Sequence, residues 1–186
     1  LAARQAVPAH QAASGKMRLG LHEATRAEAC ALAIEAAGAS EIVVHARTKL
    51  DGYRPPAYWE RIGDIRAVVQ LSLVANGEIW TVADARRCRE VSGCQSLMLG
   101  RGMVANPGLA HAIRQVDRGQ PESALFTWSQ ILELLEEFWR QVCLHLERDQ
   151  QTGRLKQWLN LMRRVFPQAQ HAFLAVRVFH DPADVT

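Results

Sequence analysis

The sequence predicts an α/β fold over residues 1–118, followed by a small all-α helical domain over residues 119–186. In the first part, short apolar segments alternate with segments of helical spacing at a repeat of about 25–30 residues. From about residue 121, only the helical spacing continues. The apolar segments begin near residues 16, 41, 71 and 95.

Glycine and threonine mark several element boundaries in the first part. Gly38 is predicted to end the first helix and Gly93 the third, while Thr81 can cap the start of the third helix through its hydroxyl. The strands are predicted at 16–20, 40–46, 71–75 and 95–99, and the helices at 25–37, 59–69 and 82–91, with a short helix after Pro107.

Apolar strands that alternate with helices indicate a parallel sheet covered by helices. Both a doubly wound sheet and a (β/α)₈ barrel fit this pattern. No GxGxxG sequence follows a strand, which weakens the doubly wound alternative. Polar residues are instead assigned to the C-terminal ends of the strands, where barrel enzymes build their sites. These residues are Lys16, Arg18, His45, Arg47, Asn76, Glu78, Gly100 and Arg101.

The last part of the chain has the spacing of packed helix pairs. Leu125 belongs to the apolar side of the first helix, Thr152 is predicted to cap the second, and Pro167 separates the second from the third. These helices are predicted at 123–149, 153–166 and 168–179.

The composition is that of an ordinary globular protein, with 48% hydrophobic and 22% charged residues among 186. This apolar content excludes a disordered chain. The sequence has no apolar run of about 18 residues, so it predicts no membrane span. The net charge of +3 leaves nucleic-acid binding open. The cysteines lack a CxxC metal pattern and are predicted to be buried free thiols in a reducing compartment. They are Cys30, Cys88, Cys94 and Cys143.

Two glycine-containing segments, 76–78 and 100–102, together predict a phosphate site. Glycine allows the backbone to approach an anion, and Arg101 can pair with it through two N–H groups. Each segment alone also fits an ordinary turn. In this order they match the loops after the last strands of phosphate-binding barrels.

Lys16 and Arg18 lie two residues apart and share one face of their strand. Two cations in a barrel mouth are costly without an anionic or electron-rich ligand, although both would be solvated if they only flanked the strand. His45 and Arg47 repeat this alternation, but a lone histidine at a strand end is often a core residue. Tyr53, in a long polar loop, is a candidate for base stacking or for a lid.

A basic cluster in the helical part is either a solvated surface or a contact for a phosphate backbone. It contains Arg154, Lys156, Arg163 and Arg164.

Five segments, in this order, resemble the bacterial tRNA-dihydrouridine synthases, most of all their C-type subfamily. The HxRT, ANG(D/E)I and M(I/L)GRG motifs at these separations are specific in combination. The segments read KMRLG, VVHARTKLDGYRPPAYWERIGDIR, VANGEIW, MLGRGMVANPGLA and RLKQWLNLMRR.

The resemblance implies that the chain is the C-terminal half of an FMN-containing TIM (β/α)₈ barrel followed by a helical tRNA-binding domain. The implied activity is a cytoplasmic oxidoreductase reaction, the reduction of a uridine C5–C6 bond in the tRNA D-loop with NADPH as reductant. The C-type resemblance suggests position 16 of the tRNA. The implied partners are tRNA and the N-terminal half of the barrel, without a membrane; the oligomeric state is left open.

Site residues also follow from the resemblance, by motif match. Lys16 would lie near the flavin ring and His45 in the same pocket. Arg18 and Tyr53 are candidates for contact with the uracil, and Arg154 and Lys156 for contact with the tRNA backbone. The residues implied for FMN binding are Lys16, His45, Asn76, Gly77, Glu78, Gly100 and Arg101.

The family's proton-donor cysteine lies in an Asn-x-Gly-Cys-Pro motif, which this sequence lacks, so none of its four cysteines is assigned catalysis. We expect that cysteine upstream and expect this chain alone to be inactive. The first residue, Leu1, is not methionine, and a barrel needs about 250 residues, which also leads us to expect the C-terminal part of a longer protein. Because half a barrel has open strand edges, we expect the isolated chain to be unstable or to dimerise.

Two other functions stay open at this stage. One is a different FMN-binding barrel oxidoreductase that acts on a small pyrimidine-like molecule, and the basic helical part argues against it. The other is a non-catalytic RNA-binding remnant, and the flavin-side motifs argue against it.

Overall fold

The computed structural model describes residues 1–123 and 126–185, and the chain divides into two compact units, Leu1–Gly100 and Arg101–Thr186. The predicted apolar position Leu125 lies outside the described residues, as does Thr186 at the end of the predicted second domain. The predicted boundary at residue 118, between half of a barrel and a helical domain, stays a prediction. No helix in the described ranges has the length and apolar character that crossing a bilayer requires.

The first unit alternates strands and helices in the predicted order, which establishes an α/β fold. The predicted positions differ from the observed bounds by one or two residues at most ends. A short first helix, which the sequence pattern did not predict, precedes them. The elements are α1 (Ala2–Ala6), β1 (Ser14–Gly20), α2 (Ala27–Ala36), β2 (Glu41–Thr48), α3 (Trp59–Val68), β3 (Ser72–Asn76), α4 (Val82–Ser92) and β4 (Ser96–Met98).

The four strands form one parallel sheet in the order β1-β2-β3-β4. Helices α2, α3 and α4 pack against the sheet and against their neighbours. Strand β2 is buried along almost its whole length, as its continuous apolar run predicts. The core of this unit includes Ala31, Ile42, Val44, Ile62, Ile65 and Ala75.

The boundaries of α4 confirm the predicted capping. The Thr81 hydroxyl accepts from the Asp84 N–H, and the Asp84 carboxylate accepts from the Thr81 N–H, which satisfies two backbone donors at the helix start. Gly93 ends the helix with φ of 70°, a left-handed conformation that glycine adopts without a Cβ clash.

The described part of the second unit contains five helices and one 3₁₀ turn. Its core is formed by apolar residues of the three longest helices, among them Ile131, Leu155 and Met162. The elements are α5 (Arg101–Ala105), α6 (Leu109–Asp117), α7 (Trp128–His145), α8 (Arg148–Met162), α9 (Pro167–Val176) and a 3₁₀ turn (Pro182–Val185).

One predicted helix cap in this unit is wrong. Thr152 does not cap α8, because the helix begins at Arg148 and Thr152 is buried inside it. The neighbouring Gln151 instead donates to the carbonyl oxygens of Leu146 (2.9 Å) and Cys143 (3.3 Å) at the end of α7. Packing between these two helices thus outweighs the local preference of threonine for a helix start.

Candidate functional site

The carboxyl ends of the strands bring predicted polar residues into one row across the sheet. Arg18 of β1 lies opposite His45 of β2, and His45 lies opposite Asn76 of β3. Asn76 in turn lies opposite Met98 of β4. Because paired residues of neighbouring strands project to the same face, side chains predicted from three separate motifs become neighbours.

A chain of hydrogen bonds crosses the sheet beside this row. The Lys16 Nζ donates to the Asn76 Oδ1 at 3.0 Å, and the Asn76 Nδ2 donates to the Met98 carbonyl oxygen at 2.8 Å. The Asn76 amide therefore has both ends occupied, which fixes its orientation. Lys16, on the edge strand β1, is thereby held at a defined point of the sheet face beside the row.

Lys16 and Arg18 form a pair of cations on β1. The pKa of the Lys16 amine lies below its ordinary value of 10.5, first because the sheet partly removes it from water and second because Arg18 carries a like charge. Within the described residues, neither side chain pairs with a carboxylate. This part of the sheet edge is therefore suited to an anionic or electron-rich ligand.

Gly77, directly after β3, lies against the His45 side chain of β2. Its φ is +120°, and a Cβ at this position would lie 2.9 Å from the His45 Cδ2. The Trp59 Nε1 donates to the Gly77 carbonyl oxygen at 2.9 Å, which holds this backbone in place. Only glycine accommodates both the conformation and the contact with the buried His45 ring.

Tyr53 lies over Arg18 and near His45, although it comes from the loop that follows β2. Its ring centroid is 5.4 Å from the Arg18 Cζ and 6.0 Å from the His45 ring centroid. The Arg18 Nη1 donates to the carbonyl oxygens of Thr48 (2.9 Å) and Gly52 (3.0 Å) at the start of the loop. The structure thus brings together Arg18 and Tyr53, the two residues expected to contact the substrate base.

Glu78 faces protein donors with both of its carboxylate oxygens. The Oε1 accepts from the Trp80 Nε1 at 2.8 Å, and the Oε2 is paired with the Arg47 guanidinium. Arg47 is fully buried. Strand alternation predicts that it shares a face with His45, but the sequence assigns it no function at the site. The signal that could have identified it is an arginine and a glutamate at the ends of adjacent strands.

Gly100 and Arg101 occupy the junction between the two units. A Cβ at Gly100 would meet no atom within 4 Å, so space is open beside the backbone there. The segment 100–102 was predicted as a loop, but Arg101 is already the first residue of helix α5. The role of both residues in binding phosphate stays a prediction.

Arg154 and Lys156 have different surroundings in the second unit. Arg154 is exposed and donates to the Gln157 Oε1 at 3.2 Å, whereas the half-buried Lys156 donates its amine to the Phe179 carbonyl oxygen. The contact of both residues with a nucleic-acid backbone stays a prediction. The Lys156 ammonium uses one of its three N–H donors on Phe179.

The cysteines divide into two classes. Cys88 and Cys94 are buried, as predicted, while Cys30 and Cys143 are exposed, so the prediction is wrong for that pair. Burial raises the pKa of the Cys88 thiol to about 12 and also raises the pKa of Cys94. Neither buried thiol therefore has the character of a nucleophile. Over residues 1–123 and 126–185, no cluster of metal-ligating side chains occurs.

Comparison with known proteins adds a family match over nearly the whole chain. A family model described as dihydrouridine synthase (Dus) matches residues 2–177. The chain is 47% identical to a tRNA-dihydrouridine(16) synthase of Pseudomonas syringae pv. tomato, over 94% of this chain and 55% of that protein.

Proteins of the same name from other bacteria match similarly. The one from Cupriavidus necator is 42% identical over 98% of this chain and 56% of its own length. The one from Neisseria meningitidis serogroup B is 40% identical over 98% of this chain and 55% of its own length. The chain thus spans little more than half the length of these relatives.

Proposed function

The chain belongs to the dihydrouridine synthase family, and from this premise we propose that it is the C-terminal part of a tRNA-dihydrouridine synthase. The enzyme would reduce the C5–C6 bond of a D-loop uridine in tRNA, with FMN as cofactor and NADPH as reductant. The observation that carries the proposal is the row of Arg18, His45 and Asn76 across three strands, with Lys16 bound to Asn76 beside it.

The strand order supports half of a barrel. The strands follow one another in sequence across the sheet, whereas a doubly wound sheet reverses its order at one point. Strands β1 and β4 form the two edges of the sheet. The N-terminal half of the barrel would pair with both edges and would supply the proton-donor cysteine.

The residues at the row fit FMN. Lys16 and Arg18 offer positive charge without a carboxylate partner among the described residues, and Asn76 fixes the Lys16 amine at the sheet face. A cation near a flavin ring stabilises negative charge on its reduced form. Gly100, with open space beside its backbone, is suited to close approach by a phosphate. When bound, FMN supplies a hydride donor that no amino-acid side chain can provide.

The protein side chains would bind and orient the substrate base. Tyr53 is 61% exposed and presents an aromatic surface beside the Arg18 guanidinium, a combination suited to a base taken out of its stack. The buried His45 would line the pocket between this base and the sheet. In the second unit, Arg154 and Lys156 would contact the tRNA backbone, within a helical domain that we propose to begin near residue 119.

The proposal can be tested with a chimaera in which this chain replaces the matching part of the Pseudomonas syringae relative. The chimaera should retain FMN, oxidise NADPH in the presence of unmodified tRNA, and produce dihydrouridine that mass spectrometry detects in the D-loop. Its variant Lys16→Met should lose FMN, while the matched variant Lys49→Met, at an exposed loop lysine, should retain it.

Other outcomes would identify the two alternative functions. A chimaera that retains FMN and oxidises NADPH only with a small pyrimidine would indicate a different flavin enzyme. A chimaera that binds tRNA without retaining FMN would indicate an RNA-binding remnant. Either result would refute the proposed reaction.

A further inference from the structure

Arg47 is a fully buried charged side chain next to the candidate site, with an exposed fraction of 0%. It follows His45 by two residues on β2, and its guanidinium is paired with Glu78 after β3. The same side chain donates through Nε to the carbonyl oxygens of Arg54 at 2.7 Å and Pro56 at 3.1 Å. Arg47 therefore joins two segments that are far apart in sequence.

One of these segments is the loop of residues 49–57, here named the Tyr53 loop. Arg18 binds the carbonyl oxygens of Thr48 and Gly52 before Tyr53, and Arg47 binds two carbonyl oxygens after it. The backbone is therefore held on both sides of the exposed Tyr53 ring. The other segment, residues 76–78, contains Gly77 in contact with His45 and ends at Glu78.

The contacts of Arg47 fix geometry more than they add stability. Its Nη1 is buried without a hydrogen-bond partner in the described part of the chain, which costs free energy. A buried ion pair also adds little net stability compared with apolar side chains of similar size. Glu78, moreover, has φ of +56°, a conformation uncommon for residues other than glycine, and its carboxylate is held between Arg47 and Trp80.

We propose that Arg47 is a positioning residue that sets the distance between the Tyr53 loop and residues 76–78. This inference rests on the proposed function, in which the Tyr53 loop contacts the uracil and residues 76–78 lie at the flavin. Arg47 itself touches neither group. The positioning role also implies that the Glu78 carboxylate holds Arg47 in place. The contribution of residues 76–78 to cofactor binding then comes from Asn76 and the Gly77 backbone.

The variant Arg47→Lys tests this role in the chimaera. Lysine keeps the charge that pairs with Glu78, but it lacks the planar fork that reaches a carboxylate and the loop carbonyls together. We expect kcat/KM for tRNA to fall by about tenfold or more, while the rate of flavin reduction by NADPH without tRNA changes less than about twofold. A general structural defect would lower both rates.

Arg61→Lys is the matched control. Like Arg47, Arg61 is paired with carboxylates, but it is only partly buried, and its partners Glu28 and Asp64, each at 2.5 Å, lie on helices α2 and α3. This variant should leave both half-reactions near the parent rates. Equal losses in Arg61→Lys and Arg47→Lys would show that any change of a paired arginine produces the effect.

Hydrogen exchange gives a readout that does not depend on activity. Backbone amides of the Tyr53 loop should exchange faster in Arg47→Lys than in Arg61→Lys, whereas the amides of helix α4 should not change. If Arg47→Lys does not fold, the double variant Arg47→Met/Glu78→Met removes both charges and leaves neither unpaired, and the same faster loop exchange is expected.

The possible failures are distinguishable. An unsubstituted chimaera that makes no dihydrouridine refutes the proposed function. An active chimaera whose Arg47→Lys variant keeps full tRNA turnover, or keeps normal exchange in the Tyr53 loop, refutes the positioning role. A variant that loses flavin reduction as strongly as tRNA turnover also refutes it, because the defect then lies in the whole fold.

Discussion

The Lys16 amine lies 3.0 Å from the side-chain oxygen of Asn76, on the third strand of the sheet, and this bond spans the buried strand between them. Asn76 is itself fixed by its bond to the Met98 carbonyl oxygen. The position of the cation at the candidate flavin site is therefore set by an amide rather than by a carboxylate, which leaves its positive charge available to a ligand.

We expect Asn76→Ala to weaken FMN binding because Lys16 loses the acceptor that orients it. The dissociation constant of FMN in the chimaera should rise about tenfold, which corresponds to about 1.4 kcal/mol, as measured by the change in flavin fluorescence. Asn106→Ala is a suitable control, since Asn106 makes one local bond to the Gly108 N–H. An unchanged affinity in Asn76→Ala would contradict the role given to this amide.

The lowered pKa of Lys16 predicts a pH dependence of cofactor binding. Burial and Arg18 lower its pKa in the folded protein, while in the unfolded chain it has the ordinary value of 10.5. The folded state therefore loses this proton first, so this group adds stability as the pH rises toward 10.5. FMN affinity should decrease as the pH rises, because loss of the Lys16 charge removes an attraction for the flavin.

Fluorescence titrations at increasing pH should therefore show that FMN affinity begins to decrease at a pH below the ordinary lysine pKa of 10.5. Lys16→Arg supplies the control, since a guanidinium with a pKa above about 12 stays charged throughout this range. If the parent and Lys16→Arg proteins have the same pH profile, Lys16 is not the titrating group.

Much of the first unit could be predicted from its sequence. Strands β2 and β3 contain continuous apolar runs, and Thr81 and Gly93 have clear local preferences, so their structures follow from nearby residues. The row of Arg18, His45 and Asn76 was predictable only in part. Strand alternation places each residue on a face, but the register between strands decides which residues become neighbours.

The remaining features depend on contacts that are distant in sequence. The contacts of Arg47 form only because the loop after β2 folds back onto its side chain. The hydrogen bond from Lys156 to the Phe179 carbonyl oxygen forms only because the backbone at Phe179 reaches helix α8. The exposed position of Cys30 depends on which side of α2 faces the sheet, and the small residues on that helix give little contrast between its sides.

Gly77→Ala should disturb the site more than an alanine at another glycine of positive φ. The new Cβ would lie 2.9 Å from the buried His45 ring, so the ring or the backbone must move. We expect the free energy of unfolding to decrease by about 1–3 kcal/mol in thermal or urea unfolding. Turnover of tRNA should fall as well, because His45 leaves its place in the row.

Gly52→Ala separates the steric effect from backbone strain. Gly52 also has positive φ, at +61°, but an added Cβ would have no atom within 4 Å. Its cost in stability should therefore be the smaller of the two, about 1 kcal/mol, with FMN affinity unchanged. Equal destabilisation by both substitutions would show that the His45 contact contributes nothing.

The cysteines should react with thiol reagents in two separate classes. A thiolate is the reactive form, and the buried Cys88, with its pKa raised to about 12, is almost entirely protonated at neutral pH. We expect peptide mass spectrometry of the native chimaera to find Cys30 and Cys143 modified by iodoacetamide, and Cys88 and Cys94 modified only after denaturation. Modification of Cys88 in the native protein, at a rate close to that of Cys30, would mean that helix α4 separates from the sheet often enough to expose it, and the core described for the first unit would then be wrong at that position.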